Sequence, residues 1–530
     1  MNIREKVHEL LKYCSSYQGH SYMVDERRVG GGFQVTLPEE EEISENLDRL
    51  QFILLTGEAG DGKSYLLRRL DKKLKSRHFR VFRDFSELSE QGGEKGQPSG
   101  QPELGKKEVM QMIADIVGGN SDERIIIAAN VGIFTKTALM YQERLLDAFD
   151  GRDDRIRIFN FEKRNLAGDK TVFERIVKAF FTYDGKPCTD GECPHQRRCP
   201  YKKNLDFLSS PEGIESVRVL CDTVFLTGNH ITFRELLSLL AHMVTLGESC
   251  EERKAGDPAG NYGYETVFEL TEDKVLEKIS RMDPAYKRRT DISEEESYQD
   301  IESCKREKRL QFFEAGDKYR LLAVDYLSEF QTALHAFEET PYLASEMLQD
   351  GVLYQLKRGI GRLTRRGESN LALKVADTPS ILGEDIQTEF ELGNMDIVWH
   401  RYGLDFNRLE EGAKGEEQNC FGMSYVYPAD EKEERLETIT LAIDYKLFRY
   451  LMMADEYFYL SHNSKSIEEY TINTFFRKIL KKKQGAYEKM LVKFVDQERD
   501  KYCNFSLSLQ KMSRFLYGKK KIIKLKKESS

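Results

Sequence analysis

The stretch FILLTGEAGDGKSYLLRRL, residues 52–70, constrains the fold of this chain more than any other. Phe52–Thr56 is a short apolar run with the character of a buried strand, and Leu66, Leu70 and Leu74 recur at the spacing of one helix face. Between them, Gly57, Gly62, Lys63 and Ser64 satisfy the pattern G-x-x-x-x-G-K-[ST]. Glycines permit a turn that aims successive backbone N–H groups at phosphate oxygens, and the helix N-terminus adds its dipole. Lys63 supplies a point charge for terminal phosphates and Ser64 a hydroxyl for Mg²⁺. The nucleotide-binding residues expected on this basis are Gly57, Glu58, Ala59, Gly60, Asp61, Gly62, Lys63, Ser64 and Tyr65, with ATP and Mg²⁺ as ligands.

The chain then alternates in the manner of an α/β protein. FRVFRDF (79–85) and IRIFNF (156–161) have strand character, and RIIIAAN (124–130) is the clearest buried-strand run. Helical periods fall near Glu108–Val117, Thr137–Phe149 and 171–181. Strands separated by such helices predict a P-loop NTPase parallel sheet with helices on both faces. Residues 212–250 predict a helical lid, with Phe233, Leu236, Leu237, Leu240 and Val244 as its apolar stripe. A mostly helical C-terminal region follows, with a small β element over 385–445 and helix from there on.

At 530 residues the chain is too long for one core. The expected division is a helical lead at 1–48, an NTPase domain at 49–250 with an insertion at 186–204, a helical domain at 251–380, and a mixed domain at 381–530 with a basic helical end. Gly-, Pro- and Gln-rich residues 89–106 are expected to form a flexible excursion.

Hydrolysis needs a carboxylate for the metal shell and a polar group to orient water. No strand ends in the usual Asp-Glu pair. Asp84 closes FRVFRDF and Asn130 closes RIIIAAN, so Lys63, Asp84 and Asn130 are the expected catalytic residues, with Asn160 as a weaker third strand-end candidate. Against these roles stands capping: Asp84 is equally suited to start a turn or helix, and an Asn after five apolar residues must satisfy its amide somewhere.

Net charge is −9, yet residues 471–530 hold 17 Lys/Arg against 5 Asp/Glu. That asymmetry suits a nucleic-acid contact, an acidic partner, or a solvated helical face. The absence of a long apolar run and of a signal-like N-terminus leads to an expectation of a cytoplasmic protein with no membrane partner. Cys188, Cys193, His195 and Cys199 supply enough ligands for a closed structural zinc site, though C-x4-C-x-H-x3-C is an uncommon spacing and Cys221 or Cys250 could replace His195. A three-Cys iron–sulfur site and unmetallated thiols are the alternatives. Arg234, near the start of the lid helix, is placed like arginines that reach nucleotide in AAA+-type ATPases, with a solvated or ion-paired arginine as the plainer expectation. Lys357, Arg358, Arg362, Arg365 and Arg366 lie among glycines and suit phosphate contact, an arginine supplied in trans, or a charged helix end. Trp399 is expected in a core.

Taken in order, GEAGDGKS (57–64), VFRDFSEL (81–88), IIIAANVGIF (125–134), IRIFNFEKRN (156–165), the cysteine patch, HITFRELLSLLAHMV and VFELTEDKVLEKISRMDPA (267–285) make the chain resemble the P-loop ATPases of DNA phosphorothioation-dependent restriction systems in bacterial defence. The likeness continues through YLMMADEYFYLS. It implies an ATPase that acts with other restriction-complex proteins, one of them helicase-like, against DNA lacking the phosphorothioate mark, with DNA contact and self-association compatible. No nuclease motif is seen. The rival expectations are an AAA+-type DNA or helicase loader outside defence, and a nucleotide-binding scaffold without turnover.

Overall fold

The computed structural model describes residues 2–14, 34–90, 104–142, 145, 153–184, 186, 188, 199–252, 263–264, 266–269, 274–287, 301–340, 343–348, 350–363, 370–374, 386–391, 397–402, 420–428, 436–456, 467–483, 489–495, 502–510 and 522–527. Two compact units divide the chain: Met1–Val324 belongs to the first, and Asp325–Gly403 with Gln418–Ser530 forms the second.

In the first unit, α1 (Ile3–Leu11) and α2 (Pro38–Asn46) precede β1 (Phe52–Thr56) and α3 (Lys63–Ser76). Then come β2 (Phe79–Phe82), α4 (Lys106–Val117), β3 (Arg124–Ala129), α5 (Val131–Tyr141) and β4 (Ile156–Asn160). The four strands form a parallel sheet in the order β2-β3-β1-β4. The two central strands, β1 and β3, are nearly continuous apolar runs because both faces are covered, whereas β2 and β4 at the edges carry Arg80 and Arg157. On one face Phe52, Leu54, Ile125, Ile127 and Ile158 pack with Val109, Ile113 and Phe134 of α4 and α5. Ile53, Leu55, Ile126 and Phe159 pack on the other with Leu66, Leu70 and Leu74 of α3 and Ile43 of α2. Helix α5 begins at Val131, six residues before the expected Thr137, because the Asn130 side chain accepts from the N–H groups of Gly132 and Ile133 and starts the helix there.

The acidic stretch PEEEE is the first turn of α2, where carboxylates favour the dipole and Pro38 costs no hydrogen bond. Each glutamate meets an arginine of a different segment: Glu39–Arg164 (3.0 Å), Glu40–Arg69 (3.0 Å), Glu41–Arg175 (2.8 Å) and Glu42–Arg157 (3.3 Å).

Helices α6 (Lys170–Phe181), α7 (Pro200–Leu208), α8 (Pro211–Leu226) and α9 (Phe233–Thr245) follow. The expected single helical span over 212–250 is thus two helices, broken after Thr227, where Gly228 takes φ +81°. Helices α10 (Lys274–Ser280) and α11 (Ile301–Glu314) complete the unit around Phe268, Phe312 and Phe313.

In the second unit, α12 (Leu327–Glu339), α13 (Ala344–Leu348) and α14 (Val352–Leu363) lead into β5 (Asn370–Lys374), β6 (Ile386–Glu391), β7 (Ile397–Tyr402), β8 (Cys420–Pro428) and β9 (Leu436–Ile443). After α15 (Tyr445–Glu456) and α16 (Ile467–Lys483) come β10 (Lys489–Val495), β11 (Tyr502–Gln510) and β12 (Ile522–Lys527). The expected basic helical end is overturned: from Lys489 the described residues are strands, in a sheet ordered β12-β11-β10-β6-β5. Met490, Val492 and Phe494 register with Leu507, Phe505 and Cys503, a period-two pattern that the density of lysines obscures in the sequence. The region therefore carries two antiparallel sheets rather than one small β element, the second ordered β7-β8-β9. Trp399 is buried beside Phe421, as expected of a core residue.

The glycine-flanked basic segment over 356–369 is not a loop through its first half but the end of α14. Gly359 lets α14 cross α15 closely, since a Cβ there would lie 2.1 Å from the Leu451 carbonyl oxygen. Arg358 pairs with Asp455 at 2.8 Å, an intra-unit ion pair that engages its guanidinium. Arg365 and Arg366 lie outside the described residues. Among the described residues no helix is long and apolar enough to cross a membrane.

Candidate functional site

The parallel register brings the carboxyl ends of the strands to one edge. Thr56 of β1 is level with Ala129 of β3 and Asn160 of β4, so Gly57, Asn130 and Phe161 leave the sheet side by side. In open α/β sheets this is the edge that binds ligands. Strand β2 lies beyond β3, so β3 and β4, not β2, flank the loop strand, an order that the sequence left open.

Residues 57–62 form a tight loop that needs its glycines. Gly57 has φ +149°, and a Cβ there would lie 2.5 Å from Asp61 Oδ2 and 2.9 Å from Phe161 Cβ. Gly60 has φ +105°, and its missing Cβ leaves room for Arg234 Cβ, which would be 3.1 Å away. Helix α3 begins at Lys63 with no side-chain cap on its first N–H groups. Lys63 Nζ donates to the carbonyls of Gly57 and Glu58, both at 2.7 Å. Burial lowers its pKa, opposed by the carboxylates of Asp61, Glu162, Asp84 and Glu58 around it. The Ser64 side chain is exposed at the helix start. Glu58 and Ala59 are exposed at the loop tip, and Tyr65 tucks inward, its hydroxyl bonded to both backbone groups of Val35 at 2.8 Å and its ring 5.7 Å from that of Phe233.

The three strand-end polar residues each cap the turn or helix that begins beyond them. Asp84 accepts from the Ser86 N–H (2.9 Å) and hydroxyl, Asn130 from the N–H groups of Gly132 (3.0 Å) and Ile133 (3.3 Å), and Asn160 from the Glu162 N–H (3.2 Å). Capping fixes all three side chains at the strand edge. The Asn130 amide keeps its two N–H donors because only its oxygen is used in the cap. Asp84 is exposed, and its charge opposes the lowering of the Lys63 pKa although its strand is two removed from β1.

Three groups at this site escaped sequence reasoning. Glu162 follows β4 and is half-buried; burial first, then the charges of Glu58 and Asp61, raise its pKa, while His230 and Lys63 oppose the rise. Its distance of two residues from a strand end was the available signal. Arg164 donates to the Asp61 carbonyl (2.8 Å), pairs with Glu39 (3.0 Å) and sits 4.4 Å from the centre of the Phe161 ring. His230, in the break before α9, meets the fully buried Asp61 carboxylate at 2.7 Å. No local pattern announces a contact between residues so far apart in sequence. Helix α9 starts against the loop, with the Arg234 N–H donating to the Gly60 carbonyl at 3.0 Å. Arg234 thus stands beside the loop through its backbone N–H and the base of its side chain.

For the expected zinc site, Cys188 and Cys199 are described and half-buried, Cys199 preceding α7, whereas Cys193 and His195 lie outside the described residues. Among the described residues no group of three His, Cys, Asp or Glu side chains could hold a metal ion. Cys221 is buried in α8, and burial pushes its thiol pKa up. Cys250 is only partly buried.

No family model matches the chain, and neither a curated protein nor a solved structure matches it.

Proposed function

We propose that the chain is an ATP-binding and hydrolysing protein whose loop Gly57–Ser64 holds the nucleotide phosphates. The observation that carries this reading is the loop itself: a glycine-dependent turn between a buried parallel strand and an uncapped helix start, with Lys63 Nζ resting on two loop carbonyls. Those two neutral acceptors are weaker partners for an ammonium than a phosphate would be, so Lys63 can transfer to an anion without leaving a buried charge unpaired. The cradle is of the right chemistry for phosphate, with free N–H groups at the helix start and exposed Ser64. Mg²⁺ bound with the nucleotide supplies charge neutralisation on the phosphate oxygens, with the Ser64 hydroxyl and Asp84 as the groups of this chain suited to its shell. Asn130, its oxygen fixed by the cap, presents N–H donors suited to orienting a phosphate oxygen or water.

The resemblance to phosphorothioation-dependent restriction ATPases extends the proposal: nucleotide state is coupled to assembly of a DNA-restriction complex with partner proteins. Lys63→Ala is expected to abolish nucleotide binding and restriction together, and a variant that still restricts fully contradicts nucleotide-driven function. A scaffold without turnover is the second reading, favoured by the use of Asp84 and Asn130 as caps. Phosphate release measured with and without DNA decides between them. Turnover that is lost in Asp84→Ala is incompatible with a scaffold.

A further inference from the structure

We propose that His230 is a positioning residue for this site: from the lid side it holds the Asp61 carboxylate that shapes the phosphate loop, so that one bond ties loop occupancy to the position of helix α9. The inference rests on the reading of Gly57–Ser64 as an ATP site.

Asp61 is the hub of the loop. Its side chain is fully buried, and its two oxygens are used in opposite directions: Oδ2 accepts from the Glu58 N–H at 2.5 Å, bending the loop, and Oδ1 meets His230 Nε2 at 2.7 Å. A buried carboxylate is costly unless hydrogen-bonded, so the loop shape that buries Asp61 depends on the imidazole. Arg164 holds the Asp61 carbonyl from the sheet side at 2.8 Å, leaving the lid side to His230.

His230 is in turn anchored to the lid. Its carbonyl accepts from Lys278 Nζ of α10 at 2.6 Å, and the same ammonium reaches Glu235 at 3.0 Å. Glu235 and Thr232 form the capping box that starts α9, and within that first turn the N–H of Arg234 donates to Gly60. Loop, imidazole, helix start and α10 are therefore one hydrogen-bonded chain. The other ring nitrogen of His230, Nδ1, is buried with no hydrogen-bond partner, so among the described residues Asp61 is the only group hydrogen-bonded to the ring. When phosphate draws loop N–H groups toward itself, Asp61 and the lid must move together or the bond must break.

The test compares wild type, His230→Ala and His230→Gln. Binding of Mg·ATP is measured with a fluorescent ATP analogue, and amide hydrogen exchange is followed over 230–245 with and without saturating Mg·ATP. Wild type is expected to bind and to change its exchange across 233–236. His230→Ala is expected to bind about tenfold more weakly, the scale of a lost hydrogen bond to a buried charge, and to lose the exchange response even at saturation. Gln keeps an N–H donor for Asp61 and is expected to restore affinity to within about threefold, together with the response. The proposal is overturned if His230→Ala keeps the response, if Gln fails as badly as Ala, or if wild type binds nucleotide without any response. A wild type that binds no nucleotide instead overturns the ATP reading and removes the inference with it.

Discussion

Arg164→Met tests the part of the account that concerns how the loop is held. The substitution keeps most of the side-chain volume and removes a guanidinium that makes three contacts: an ion pair with Glu39 at 3.0 Å, a hydrogen bond to the Asp61 carbonyl at 2.8 Å, and a cation–π contact to Phe161 at 4.4 Å. Glu39 and Arg164 are only 12% and 13% exposed, so the pair is screened little. Breaking a buried pair from one side costs about 3–5 kcal/mol, because the remaining charge stays buried. Glu39 sits in the first turn of α2, where the helix dipole returns about 0.5 kcal/mol. The lower end of that range, about 3 kcal/mol, is therefore expected. Glu39→Gln leaves Arg164 its bond to Asp61 and should cost only about 1 kcal/mol. Combining the two removes the stranded carboxylate, so the double variant should be about 2 kcal/mol more stable than the sum of the single losses requires. Urea unfolding followed by far-UV circular dichroism measures all four corners of this cycle. Losses under about 0.5 kcal/mol in Arg164→Met, or a coupling near zero, would refute the claim that the acidic first turn of α2 clamps the loop through Arg164.

Gly359→Ala should destabilise the second unit by roughly 2–3 kcal/mol, because its Cβ would press on the Leu451 carbonyl; thermal unfolding checks this, and an unchanged midpoint contradicts the close crossing of α14 and α15. Asn130→Ala should cost about 1 kcal/mol by removing the α5 cap, whereas Asn130→Asp keeps the cap and stability but loses the amide donors, so phosphate release should fall while the unfolding midpoint holds. Glu162 has a raised pKa when folded, so the folded state binds its proton more tightly than the unfolded chain does, and its contribution to stability falls as pH rises from the ordinary carboxylate range through the raised value. Glu162→Gln should therefore flatten that fall and stabilise the protein at neutral pH. Identical pH–stability curves for the two proteins contradict it.

Much of the first unit was legible because burial on both faces makes the central parallel strands into near-continuous apolar runs: β1 and β3 fall where FILLT and RIIIAA stand, and the edge strand β4 where IRIFN alternates. The turn at 57–62 was legible because Gly57 and Gly62 are spaced as a tight strand-to-helix turn needs, and both take positive φ. Less visible was the start of α5, since capping by Asn130 overrides the apolar character of VGIF. The C-terminal strands were missed because lysines interspersed among their apolar residues look like a solvated helix when only charge density is weighed. Contacts such as His230–Asp61 and Arg164–Glu39 join residues far apart in the chain, and no local periodicity encodes them. Strand order likewise depends on tertiary packing, which is why the neighbours of β1 emerged only from the fold.

The central claim is that Gly57–Ser64 binds the phosphates of ATP through Lys63. Isothermal titration of wild type and Lys63→Ala with Mg·ATP tests it most directly. Saturable binding by wild type and no measurable binding by a folded Lys63→Ala is the result expected. No binding by wild type, or equal affinity in the two proteins, would contradict it.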